Sequence, residues 1–185
     1  MEIYKVNFIS QLKRGSSIWW GIIMCVIAVL FLSVLKNEKI ETIAWIGLIP
    51  FAVFVVPTMI IHANYYLVSR GDVLKYNFVE QTITLRHNNK WITFHLEDID
   101  FAVRYMSFNL AANRSSVLLW DGYNHTVISL KSGEMLTVTS LLVPNLNLPI
   151  DQKKITIKRG FYRLAKRRYT PEDIKEWSQK VSKLE

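Results

Sequence analysis

The chain has 185 residues, half of them hydrophobic and 21% charged, with a formal net charge of +8. No Asp, Glu, Lys or Arg occurs in residues 16–35 or 42–69, and runs of that length reach the ~20 apolar residues needed to cross a bilayer. An ordinary soluble globule and a disordered tail are both excluded, which leaves a membrane protein carrying one modest soluble domain.

Residues 1–15 read as a cytoplasmic N-terminal segment, with Lys5, Lys13 and Arg14 against Glu2. The first span is expected over 16–35. A cleaved signal peptide would share the basic start, but the apolar run is longer than the usual signal core and no small-x-small cleavage site follows it. The short, charge-balanced linker Lys36–Glu41 leads to a second span over 43–61, so residues 16–63 should form an antiparallel hairpin. Pro50 and Pro57 are tolerated in a membrane helix and predict a kink. Lys13, Arg14, Arg70 and Lys75 flank the hairpin on its open side, which places both termini on the cytoplasmic side of an inner membrane. Trp19, Trp20, Tyr65 and Tyr66 are expected in an aromatic belt there, with Trp45 near the other face.

Ser17, Gly21 and Cys25 recur at spacing four, with Ala28 nearby, and Ala44 and Gly47 are small residues of span two. Such residues either build a dimerisation seam or close the hairpin on itself. The lone Cys25 excludes an internal disulfide. Two spans without a charged residue read as an anchor, not a transport pathway, and His62 falls at the interface.

From residue 64 to 185 the pattern turns to alternation. Strands are expected over Tyr65–Ser69, Val73–Phe78, Thr82–Arg86, Trp91–Leu96, Ile99–Tyr105, Ser116–Trp120, Thr126–Leu130 and Met135–Thr139, with Asn88-Asn89, Asp121-Gly122 and Ser132-Gly133 as turns. Thr170-Pro171-Glu172-Asp173 begins a terminal helix over 171–184, whose stripe Ile174, Trp177, Val181 and Leu184 would cover one end of the strands.

The runs Asn64–Gly71, Gln81–Thr84, Leu96–Ile99 and Thr139–Pro144, taken in order, resemble bacterial pleckstrin-homology-like (PH-like) membrane proteins with two N-terminal transmembrane helices. The resemblance implies an α+β membrane protein: a two-helix transmembrane hairpin followed by a small antiparallel PH-like β-barrel or sandwich with a C-terminal helix. It also implies two orthogonal sheets of seven strands and no catalytic activity. Which segment after Thr139 closes the β domain stays open.

No motif calls for a cofactor. His62, His87, His95 and His125 have no metal-ligand spacing, and Glu97, Asp98 and Asp100 read as a solvated turn. No phosphate-cradling glycine loop and no nucleophile motif is present. The informative stretch is 153–168, where Lys153, Lys154, Lys158, Arg159, Arg163, Lys166, Arg167 and Arg168 occur without an acid and interleave with Ile155, Ile157, Phe161, Tyr162 and Leu164. Beside a bilayer such a stretch attracts anionic lipid headgroups. Tethering to the membrane disfavours nucleic acid, whereas a protein partner fits the same surface; a homo-oligomer is a further candidate partner of the chain. The expected function is a membrane-anchored, non-catalytic binding or scaffold protein. Its rivals are a structural subunit of a larger membrane complex and an enzyme whose residues assemble from distant positions.

Overall fold

The computed structural model describes residues 1–36, 39–87, 89–146, 148–167 and 169. The expected helix over 171–184, its cap Thr170 and the basic residue Arg168 lie outside these. The chain opens with strand β1 (Glu2–Lys5), followed by the long helix α1 (Phe8–Lys36). α1 begins well before the uncharged run because Asn7 caps it. The Asn7 side chain accepts from Ser10 N at 2.7 Å, and the Ser10 hydroxyl accepts from Asn7 N at 3.0 Å.

The second apolar stretch runs as α2 (Ile40–Pro50), a π-helical turn (Phe51–Val55) and α3 (Val56–Ser69). The irregularity expected at the prolines is this π turn, directly after Pro50. Pro57 sits in the first turn of α3, where its missing N–H costs least. Phe8–Lys36 and Ile43–Ser69 are both long and apolar enough to cross a membrane. A Cβ at Gly47 would run into Val29 Cγ2, so the glycine lets the second helix close on the first.

The expectation of a strand over Tyr65–Ser69 is corrected. The segment is the end of α3, whose buried positions Thr58, Ile61, Tyr65, Val68 and Ser69 recur at helical spacing. Tyr65 is consequently buried against the β domain instead of joining an interfacial belt, whereas Trp19, Trp20 and Trp45 are exposed. Gly71, at φ +83°, supplies the left-handed turn that sends the chain from α3 into the sheet.

Strands β2 (Val73–Asn77), β3 (Thr82–His87) and β4 (Lys90–His95) follow as an antiparallel meander, and β1 pairs antiparallel with β2, with Tyr4 opposite Leu74. Residues 1–15 are thus not a separate segment. Glu2–Lys5 is the edge of the first sheet, and the helical hairpin is inserted between its first two strands.

The second sheet has the order β7-β6-β5-β8, built from β5 (Ile99–Met106), β6 (His125–Leu130), β7 (Met135–Thr139) and β8 (Ile155–Arg159). β8 runs parallel to β5, so the all-antiparallel expectation is corrected for this pair. Among the described residues eight strands form, where the resemblance implies seven, in two four-stranded sheets with no closed barrel. Leu74, Ile83, Leu85, Ile128, Leu136 and Val138 face one another across the core. Leu142, Leu146 and Ile150 pack into the same core. The expected strand Ser116–Trp120 is a loop, in which Val117 N and Leu118 N bond to the Asp121 side chain instead of a strand ladder.

Candidate functional site

The basic stretch is divided by a strand. Asp151 accepts from Lys153 N at 3.0 Å and starts a short turn into β8. Lys154 donates to the Ile99 carbonyl at the start of β5. Lys153 and Lys154 therefore enter β8, and the remaining basic residues gather at its far end, roughly 16 Å away for five extended residues. There the Lys158 ammonium lies 5.8 Å and the Arg163 guanidinium 5.5 Å from the centre of the Tyr105 ring, and Arg163 also donates to the Arg159 carbonyl. The Lys166 ammonium stands 6.0 Å from the Tyr169 ring. Arg159, Lys166 and Arg167 are exposed.

Two anchors fix the segment after β8. The Asn64 side chain, on α3, accepts from Ala165 N at 2.8 Å and donates to the Ala165 carbonyl at 3.2 Å. Thr137 donates to the Lys166 carbonyl at 3.0 Å. Between β8 and these anchors, Phe161 and Tyr162 pack on Trp120 with ring centres 5.6 and 5.0 Å away. Trp120 in turn stacks on Phe54 of the π turn, at 6.3 Å and 18°. A continuous pile of rings thus runs from the second apolar helix to the basic segment.

The loop that carries Trp120 is set by Asp121. Its Oδ2 accepts from Asn109 Nδ2, Val117 N and Leu118 N, each at 2.9 Å. Burial pushes this carboxyl up, but the hydrogen bonds from Asn109, Leu118, Val117 and Ser107 outweigh it and hold the group below the ordinary aspartate value.

Polar contacts lock both apolar helices to the β domain. Arg14 of α1 donates to the Ser140 carbonyl at 3.4 Å, and Tyr123 donates to the Arg14 carbonyl at 3.3 Å while meeting His62 Nδ1 at 2.8 Å. Tyr65 bonds His125 Nδ1 at 2.9 Å, and Tyr169 bonds His125 Nε2 at 3.2 Å. A neutral imidazole meets both, one nitrogen donating and the other accepting. Burial, with Arg163 alongside, lowers the His125 pKa to about 3. His87 pairs with buried Asp72 at 2.9 Å, and Asp98 caps the turn before β5 by accepting from His95 N at 2.9 Å. Among the described residues no cluster of three His, Cys, Asp or Glu could hold a metal ion.

Sequence reasoning missed the Trp120 loop and the His125–Tyr65 pair. The run Val117-Leu118-Leu119-Trp120 is apolar without alternation, which favours a packed loop over a half-buried strand, and Asp121 directly after it is the type of acceptor that collects loop amides. The partners of His125 had no local signal, because they come from α3 and the far end of the chain.

A family model described as PH domain matches residues 3–150. The match takes in β1, the helical hairpin and the chain through Ile150, and stops before β8 and the basic segment. No curated protein and no solved structure matches the chain. With β1 and β2 paired across the hairpin and most of the sequence inside that match, the chain belongs to the PH domain family.

Proposed function

We propose that this protein is a membrane-anchored, non-catalytic PH-like binding or scaffold module at the cytoplasmic face of an inner membrane. In this reading the two apolar helices cross the bilayer, and the basic segment after β8 meets anionic headgroups. Membership of the PH domain family supports a binding role at the coarser level. The lipid reading rests on one observation: the two bonds from Asn64 to Ala165 hold Arg163, Lys166 and Arg167 beside the C-terminal part of the second apolar stretch, with Arg159 bonded to Arg163. Each basic group held at an anionic surface contributes on the order of 1 kcal/mol, and the attraction fades within about 8 Å at physiological salt. Lys153 and Lys154, at the other end of β8, contribute less. The Lys/Arg flanks of the hairpin support the cytoplasmic orientation.

The test uses the full chain in mixed phosphatidylcholine–phosphatidylglycerol bilayers. Lipids that stay bound after detergent extraction are counted by mass spectrometry. Phosphatidylglycerol should be enriched over its bulk fraction. The enrichment should fall at high salt and in the Arg159→Gln, Lys166→Gln, Arg167→Gln triple variant. No enrichment at low salt would overturn the lipid reading.

A further inference from the structure

Residues 115–120, Ser-Ser-Val-Leu-Leu-Trp, lie between Arg114 and Asp121 and carry no charge. Leu118 packs partly on the cluster around Trp120 and Tyr123, and the rest of the tip turns to the apolar helices. A Cβ built at Gly21 would lie 2.6 Å from Leu119 Cδ1 and 3.2 Å from Val55 Cγ2, so Leu119 fills the notch that the glycine leaves in α1, beside the end of the π turn. Gly21 follows Arg14, whose guanidinium holds the β domain at Ser140, by two helical turns, a rise of about 10 Å. The loop tip therefore reaches past the domain's polar docking contacts to the level of the uncharged helix. Val117 is 76% exposed there, next to an apolar groove of about 340 Å³ lined by Trp20, Met24, Phe54 and Leu118 among others.

A second observation is independent of side-chain apolarity. Irregular backbone at the depth of a bilayer must have its polar groups satisfied from within the protein. Val117 N and Leu118 N both donate to Asp121 Oδ2 at 2.9 Å, and the Leu118 carbonyl accepts from Asp121 N at 3.0 Å. Two of the three amides at the tip, those of Val117 and Leu118, are thus already paired within the protein.

We infer that Val117, Leu118 and Leu119 insert below the headgroups into the acyl layer, so that the β domain grips the bilayer at a third point besides the two helices. The lipid chains of the bilayer are the occupant of the groove, because its walls are continuous with the helices that span it. This inference rests on the reading that those helices cross a bilayer.

The experiment reads depth in the full chain reconstituted in phosphatidylcholine–phosphatidylglycerol vesicles. In a Cys25→Ser background, an environment-sensitive fluorophore is placed singly at Val117→Cys, Ser116→Cys, Val79→Cys or Phe31→Cys. Val79, 93% exposed on the β2–β3 turn, reports water, and Phe31 reports the middle of α1. The labels at 117 and 116 should emit to the blue of the label at 79. They should be several-fold less quenched by iodide, and quenched by lipids bearing a spin label high on the acyl chain. If the labels at 117 and 116 are as open to iodide as that at 79 while Phe31→Cys is shielded, the insertion is wrong and the anchoring reading stands. If Phe31→Cys is also open, the anchoring reading falls and takes this inference with it.

Discussion

Asp121 is the residue on which the shape of the Trp120 loop depends, and its removal has a calculable cost. The side chain is buried, and a single oxygen collects two backbone N–H groups and the Asn109 amide, all at 2.9 Å. A hydrogen bond to a charged group contributes roughly 1.5–3 kcal/mol, and a donor left without an acceptor in a buried setting costs about 1–3 kcal/mol. Asp121→Ala strands two backbone donors that are part-buried, so the expected loss is about 3 kcal/mol. Asp121→Asn keeps a carbonyl oxygen in place of the carboxylate and should lose about 1–2 kcal/mol. Urea unfolding in mild detergent, followed by tryptophan emission, measures both. The pH dependence carries a sign. Because the folded pKa is below the ordinary 3.8, the contribution is fully present above that value and is lost as pH falls through the folded pKa. The gap between wild type and Asp121→Ala should therefore be constant near neutrality and close in acid. A loss under about 0.5 kcal/mol for the alanine variant would refute the claim that these bonds hold the loop.

Two further outcomes follow from the same contacts. His125 is neutral when folded, with its pKa lowered from 6.5 to about 3, so the unfolded chain takes up the proton first and stability is lost as pH falls below 6.5. From pH 7 to 5 this residue should cost about 2 kcal/mol, and the His125→Gln variant should show a correspondingly flatter pH profile; equal slopes would contradict the buried neutral imidazole. Asn64→Ala removes both bonds to the Ala165 backbone, so hydrogen exchange in the segment after β8 should quicken by about tenfold, equivalent to roughly 1.4 kcal/mol of local stability. Unchanged exchange there would show that Thr137 and the ring pile hold the segment without Asn64.

Local pattern carried most of the fold. The two uncharged runs lie inside the helices observed, and alternation located β2 through β7 except where the Trp120 loop intervened. The failures share a physical cause, which is that the deciding partner is remote. Tyr65-Tyr66-Leu67-Val68 has strand-forming residues, yet it continues a helix because Tyr65 and Val68 find Trp120, Tyr123 and Leu141 on one helical face. β1 is four residues long and pairs with a strand beyond the whole hairpin. In β8, Ile155-Thr156-Ile157 does alternate, but lysines on either side made the stretch read as a charged surface before it read as a strand. The basic residues of the candidate site were visible by composition. Their division between the two ends of β8 was not, because that follows from the parallel pairing with β5.

In the anchoring proposed above, the insertion of the hairpin between β1 and β2 makes the bilayer part of the sheet's folding entropy. Lys5 pairs with Val73 across an intervening loop that contains both apolar helices. For a flexible chain of that length, bringing the ends together costs about 4 kcal/mol, more than a four-residue edge strand is expected to return. A membrane hairpin brings the two ends together before any strand forms, so β1 adds to the sheet at little further cost. In that reading the edge strand is conditional on the membrane. Solvents that let the two helices part should release Glu2–Lys5 from β2 first and leave the rest of the first sheet intact.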